Sequence, residues 1–289
     1  MAKPLVSVVL ITYKRPDRLR KAIGSVLKQT FKDFELLVVD GANLKENKVV
    51  VKSFKDKRVK YLQVEPEAVN YYSQKGMQHS RNVGCMKAKG DYIAMLDDDD
   101  EWDLRKLEKQ LSNFINGTSK VGLVICYNKI VSGGKYVIDK PKLNPNYKDL
   151  LKSFNLSSTS TFLIKRTALQ EVGYWNENLR GMHEYDIALK LTRRGYLIRT
   201  VPMILMTRYR ISNEDRGYYY IKIAEVIDLW KYYGKDFISN IGITGFAFNA
   251  IKTIGLFGVY LSGYIIKERV WDIIYPFKVV YEQGVLPSN

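Results

Sequence analysis

The chain is poor in the residues that build soft-metal sites and disulfide frameworks. Among 289 residues it has two cysteines, Cys85 and Cys126, and two histidines, His79 and His183. The cysteines lie far apart without CxxC spacing, which excludes a zinc cluster and a disulfide scaffold and makes a reducing compartment the expectation. Two histidines exclude a histidine-rich metal centre. No glycine-rich loop follows the first apolar segment, where Thr12-Tyr13-Lys14-Arg15-Pro16 stands instead; this argues against a nucleotidyl-transfer site of the kind that opens with such a loop. There is no internal repeat and no low-complexity linker. The N-terminal stretch MAKPLVSVVLITY is too short in apolar residues for a signal peptide and runs straight into a strand pattern.

Acidic residues are the scarcer charge, 30 Asp and Glu against 46 Lys and Arg, for a net charge of +16. An excess of this size attracts polyanions: nucleic acid, an anionic membrane surface or phosphorylated substrates. Nucleic acid is the least expected of the three. The charge is spread along the chain, with no helix-turn-helix, zinc or aromatic RNA-binding signature. A hydrophobic content of 46%, with 12% aromatic, supplies a full buried core.

The apolar segments alternate in type. Residues 5–13 (LVSVVLITY) and 34–39 (FELLVV) read as strands buried on both faces. Between them Leu19, Ala22, Ile23, Val26 and Leu27 mark one face of a helix opened by Pro16 and Asp17. Residues 59–64 predict a third strand, 76–89 a helix, 91–96 a strand, and 121–127 another buried strand. Leu104, Leu107, Leu111 and Phe114 predict a helix beginning near Asp103. Strand–helix alternation of this kind means an α/β layer with a mainly parallel sheet. Beyond it, 132–157 reads as a hairpin and long loop, 158–165 as a strand followed by a short helix, 184–194 as a helix, and 196–209 as two short strands around Pro202.

One segment carries chemistry. In Tyr92–Trp102, YIAMLDDDDEW, a buried strand empties into four consecutive aspartates. Four like charges in a row repel, and a hard divalent cation, Mn²⁺ or Mg²⁺, would relieve the repulsion through carboxylate oxygens shared with substrate phosphates. The bland alternative is a solvated acidic loop capping the next helix.

Three blocks in order resemble the family 2 glycosyltransferases of the GT-A fold: VSVVLITYKRPDRLRKAIGSVLKQTFKDFELLVVDGA, SRNVGCMKAKGDYIAMLDDDDEW and GYWNENLRGMHEYDIALKLTRRGY. Together they span roughly residues 5–200. The resemblance implies a Rossmann-like, mainly parallel central sheet flanked by helices, a nucleotide-diphosphate-sugar donor, and sugar transfer with inversion. It implies Asp97 and Asp99 as the matched acidic pair, Asp99 for direct metal contact, with Asp98 near the ribose or metal and Asp100 behind them or capping the following helix. Thr12, Tyr13, Arg15, Asp40 and Arg81 are the implied nucleotide contacts. Glu184 is the implied general base, and Arg208, Arg210 and Ser212 are candidates for holding the diphosphate.

Two positions depart from the family pattern. Gly41 stands where a second aspartate commonly contacts the base, and His183-Glu184 stands where Glu-Asp is usual. These departures keep open a catalytically silent relative that only binds a sugar nucleotide or glycan, beside the metal-dependent enzyme and a basic nucleic-acid-binding protein. The expected organisation is a glycosyltransferase domain over 1–212 and a helical region over 213–289. Within the latter, Lys252 splits the apolar run 236–266 into pieces of about 14–15 residues, short of the ~20 that span a bilayer. Its basic edges suit an anionic membrane surface; a packed helical subdomain or a homodimer interface fits equally well. The expected setting is the cytoplasm, at the cytosolic face of a membrane, with a glycan or lipid-linked acceptor.

Overall fold

A computed structural model describes residues 3–64, 75–152, 156–179, 181–209, 225, 227–245 and 283–285. The chain begins with β1 (Val6–Thr12), α1 (Pro16–Leu27), β2 (Phe34–Asp40), α2 (Lys45–Ser53), β3 (Val59–Gln63), α3 (Lys75–Lys87) and β4 (Tyr92–Asp97). It continues with β5 (Asp100–Trp102), α4 (Lys106–Ile115), β6 (Val121–Ser132), β7 (Lys135–Asp139) and α5 (Tyr147–Lys152). A 3₁₀ turn (Thr159–Thr161) then leads to β8 (Leu163–Lys165), α6 (Arg166–Glu171), α7 (His183–Arg193) and β9 (Leu197–Tyr209). A further helix, α8, covers residues 227–245, and β10 is Gln283–Val285.

The main sheet runs β10-β7-β6-β8-β4-β1-β2-β3, with β9 paired to β6 and β5. The β4-β1-β2-β3 wing is parallel throughout. Every residue of β1 and β2 is buried, and successive side chains enter opposite layers. Val8 and Leu10 pack with Leu19, Ile23, Val26, Leu107 and Leu111 of α1 and α4. Val9 and Ile11 pack on the other face with Met95, Ile125, Ile187 and Leu229, so α8 contributes to the same core as α7. The chain leaves β1 toward β2 and later returns to β4 on β1's opposite side. The strand order therefore reverses at β1/β4, the place where an open α/β sheet leaves a crevice for ligands.

Local chemistry explains the finer geometry. Gly84 lets α3 lie against the sheet, since a Cβ there would sit 2.4 Å from Val9 Cγ1 and 2.9 Å from Val39 Cγ2. Gly133 and Gly134, at φ 56° and 77°, make the two-residue turn between β6 and β7, which requires positive φ at both positions.

Several boundaries differ from the sequence reading. The expected two strands over 196–209 are one, Leu197–Tyr209, because a bulge opposite Cys126 and Tyr127 takes up Pro202 and Met203, and a proline that cannot donate to a ladder is tolerated at such a bulge. Residues 158–165 are half turn and half strand. Leu104 precedes α4 and is exposed; the helix starts at Lys106 because residues 103–105 form a turn, in which the Arg105 amide donates to the Asp103 carboxylate and the Lys106 amide to the Asp103 carbonyl. Among the described residues no helix is long and apolar enough to cross a membrane. Of the expected apolar segment 236–266, residues 246–266 lie outside the described residues.

Candidate active site

Ile11 of β1 sits opposite Asp97 of β4, and Thr12 opposite Asp40 of β2, so three strands open at one edge. The aspartates beyond that edge keep the alternation of a strand. Asp98 and Asp100 are buried, at 6% and 1% exposure, while the side chains of Asp97 and Asp99 each keep 26%. A solvated loop would expose all four.

Each aspartate has its own anchor. Asp98 Oδ2 accepts the Thr12 hydroxyl at 2.7 Å and the Tyr13 amide at 3.2 Å, which fastens the acidic segment under the end of β1. Asp99 pairs with Arg15 at 2.9 Å and lies 3.6 Å from Arg18. Asp97 pairs with Arg81 at 2.8 Å. Arg81 is buried on α3, donates to Gln78 Oε1 at 3.1 Å, and lies over the Trp175 ring, 5.4 Å from its centre; it is no solvated surface charge. Asp100 does not cap a helix: it lies in β5 opposite Arg208 of β9. Arg210 and Ser212 lie outside the described residues.

Asp40 is committed inward. Its carboxylate accepts the Ala42 and Leu44 amides, both at 2.9 Å, and the Tyr61 hydroxyl at 2.7 Å. It therefore shapes the turn into α2, beside Gly41. Tyr13 remains part-exposed at the crevice, with the Lys14 ammonium 5.3 Å from its ring centre.

Electrostatics follow from this crowding. Burial, with the Asp99 charge beside it, pushes Asp98 up to about 7 against the Thr12 hydrogen bond. Burial and the Asp97 charge raise Asp99, and burial and the Asp99 charge raise Asp100 well above the usual carboxylate range. Asp100 Oδ1 is buried without a hydrogen-bond partner. Among the described residues no group of three or more His, Cys, Asp or Glu side chains is arranged to hold a metal on its own. Asp97 and Asp99 keep their carboxylates part-exposed at the strand edge, where a hard cation completing its shell with ligand oxygens would be accommodated, and Asp98 and Asp100 lie buried behind them.

Glu184 stands in the first turn of α7, entered through Met182 in a left-handed conformation (φ 56°). Its Oε1 accepts the Thr159 hydroxyl at 2.7 Å and the Thr159 amide at 3.3 Å. His183 is buried, and its Nδ1 has no hydrogen-bond partner. Burial first, then the Arg81 charge, lowers its pKa to about 3, so it stays neutral. Asp186 accepts the Tyr233 hydroxyl of α8 at 2.6 Å, which ties α7 to α8, and pairs with Lys190 one turn along α7 at 2.8 Å. Arg18, Gln78, Thr159, Ser160 and Trp175 join the site without having been singled out in the sequence. The polar run Ser157–Thr161 was the one available signal, and it read as the start of a strand.

The family model for glycosyl transferase family 2 matches residues 7–173. A glucosyltransferase of Escherichia coli, WfgD, described as UDP-Glc:alpha-D-GlcNAc-diphosphoundecaprenol beta-1,3-glucosyltransferase, is 29% identical over 82% of this chain and 87% of its own length. An uncharacterized glycosyltransferase of Methanocaldococcus jannaschii is 29% identical over 81% of this chain and 79% of its own. Among solved structures, the mannosyltransferase PcManGT of Pyrobaculum calidifontis, in complex with GDP-Man and Mn²⁺, superposes with a TM-score of 0.60 at 16% identity, covering 95% of this chain and 79% of that one. TarS of S. aureus in complex with UDP-GlcNAc gives 0.59 at 17% identity, over 78% and 66%.

Proposed function

The chain belongs to glycosyl transferase family 2 and is a glycosyltransferase with the GT-A fold, and from that premise we propose a metal-dependent, inverting enzyme that moves a sugar from a nucleotide diphosphate to a hydroxyl of a lipid-linked glycan. The observation that carries this reading is the two-sided acidic segment: Asp97 and Asp99 on the open side, Asp98 and Asp100 locked beneath them.

Asp97 and Asp99 would hold a divalent cation, Mn²⁺ or Mg²⁺, which when bound offsets the charge that develops on the leaving diphosphate. Arg15 and Arg18, already beside Asp99, bring positive charge to the same place. Thr12 and the Tyr13 amide act indirectly by fixing Asp98, while the part-exposed Tyr13 ring is offered to the nucleotide base. With Asp40 turned inward and glycine at 41, base recognition falls to other groups in this crevice. Glu184 takes the proton from the acceptor hydroxyl as that oxygen attacks the anomeric carbon opposite the diphosphate, and no covalent intermediate is needed. Neutral His183 lines the site and does not compete for the proton.

A lipid-linked acceptor is supported by the named activity of the E. coli relative and by the net charge of +16, which favours an anionic membrane surface. The test is Mn²⁺-dependent turnover of a panel of UDP-, GDP- and dTDP-sugars, with Asp99→Ala and Glu184→Gln in parallel. Metal-dependent turnover of one donor, cut to a small but measurable residual rate in both variants, is the expected result. Turnover that persists in EDTA, or a fully active Glu184→Gln, would sink the corresponding part of the reading.

A further inference from the structure

The 3₁₀ turn Thr159–Thr161 is fully buried, each residue at 0% exposure, yet all three residues carry hydroxyls. Their partners lie on both halves of the site. Thr159 places its hydroxyl and its amide on the same Glu184 oxygen, Oε1, at 2.7 and 3.3 Å. Its neighbour Ser160 accepts the Asp97 amide on Oγ at 3.0 Å and accepts the Trp102 indole on its carbonyl at 3.0 Å. Two adjacent residues thus hold the last residue of β4 and the first turn of α7.

The turn is itself braced from behind. Thr161 Oγ1 donates to the Ser158 carbonyl at 2.7 Å. Gln110 Nε2 donates to the Thr161 and Val124 carbonyls at 2.7 and 2.9 Å. Gln110 Oε1 accepts the buried Lys106 ammonium at 2.7 Å, and that ammonium lies over the Trp102 ring, 4.0 Å from its centre. Interlocking hydrogen bonds in a buried network stiffen one another, which suits an element that must hold distance.

We propose that Thr159 is a positioning residue for Glu184, and that the turn sets the general base against the acidic strand. The inference rests on the assignment of Glu184 as base. A glutamate on the first turn of a helix has three rotatable side-chain bonds. Two donors from one residue, both on Oε1, restrict that freedom and leave Oε2 to receive the acceptor proton. Ser160 ties the same backbone to the Asp97 amide, so Glu184 and the end of β4 are held by one turn.

The test uses the full chain and the nucleotide sugar that the panel turns over. Thr159→Val keeps the shape and removes the hydroxyl. It is expected to lower kcat by roughly 10- to 100-fold, since a small misplacement of a reacting group has effects of that order, while KM for the nucleotide sugar stays within about twofold. Thr159→Ser restores the hydroxyl and is expected to return kcat to within about threefold of the parent. In a Glu184→Gln background, Thr159→Val is expected to add less than about a twofold loss, because residues that act through one group are not additive. Thr159→Ala, checked with Thr159→Val for an unchanged melting curve, covers the case in which valine does not fit the turn. A kcat within twofold of the parent in the folded variants, or an undiminished loss in the Glu184→Gln background, would overturn the proposal. A fully active Glu184→Gln single variant would remove the base assignment itself, and the proposal with it.

Discussion

Lys106 offers the most quantitative check on this architecture. It is 0% exposed, with one hydrogen bond to Gln110 and the Trp102 ring as its other cationic contact. Burial lowers its pKa from 10.5 to about 8. Between these values the unfolded chain holds a proton that the folded chain has released, so stability must rise with pH across the window. At 1.36 kcal/mol for each tenfold change in proton affinity, the full effect is about 3 kcal/mol, of which about 1 kcal/mol falls between about pH 7 and 9. Cys126 beside it, raised by burial to about 11 from 9.0, works in the opposite sense above about pH 9, so the lower window is the cleaner one. Lys106→Met keeps the volume and removes the ammonium. The hydrogen bond lost by Gln110 adds an offset that does not depend on pH. Urea unfolding of both proteins at several pH values gives the difference in stability. That difference is expected to move in favour of the parent by about 1 kcal/mol between about pH 7 and 9. A difference that stays flat to within about 0.3 kcal/mol would show that the ammonium is solvated, and that the brace behind the 3₁₀ turn is not as described.

Three shorter predictions probe other parts. Gly84→Ala puts a methyl within 2.4 Å of Val9 and is expected to reduce stability by about 1–3 kcal/mol through overpacking between α3 and β1, read by chemical denaturation. Tyr233→Phe removes the 2.6 Å hydrogen bond to Asp186 and is expected to cost about 1–3 kcal/mol in unfolding free energy while leaving kcat unchanged; a large loss of kcat would move the base role toward Asp186. Asp98→Asn keeps an acceptor for Thr12 and Tyr13. Because Asp98 is raised from 3.8 to about 7, the folded parent retains a proton that the unfolded chain has lost between those values, and its stability falls as pH rises through them. The asparagine variant is expected to show a shallower fall in thermal melting over the same range.

The sequence made the frame of the site legible for definite reasons. β1 and β2 are apolar on both faces, so no registration with a partner was needed to recognise them. The face of α1 is a plain helical repeat. The order of strand ends at Thr12, Asp40 and Asp97 then follows from the alternation of elements. Asp97–Asp100 announced themselves as a charge cluster, but four identical residues carry no mark of which ones face inward. The strand alternation and the Thr12 contact make that distinction. Arg81 was marked by the resemblance alone, and its place beside Asp97 and Trp175 follows from α3 packing against β1 through Gly84. β5 was missed because three residues have too little pattern of their own and exist only through pairing with β9.

The amino-acid order by itself determined the α/β layering and the acidic segment at the end of a strand, because these depend on local patterning and composition; the carboxylate at 184 was singled out by the family resemblance alone. Tertiary structure decided which groups meet. Asp40 turns inward because the Ala42 and Leu44 amides and the Tyr61 hydroxyl meet there, and His183 stays neutral because it is buried beside Arg81. Thr159 and Ser160 join Glu184 to the acidic strand because Asp97, 63 positions before Ser160, and Glu184, 25 positions after Thr159, converge on one turn. Hydrogen bonds at such separations are fixed by packing geometry, which a linear pattern of residue types does not contain.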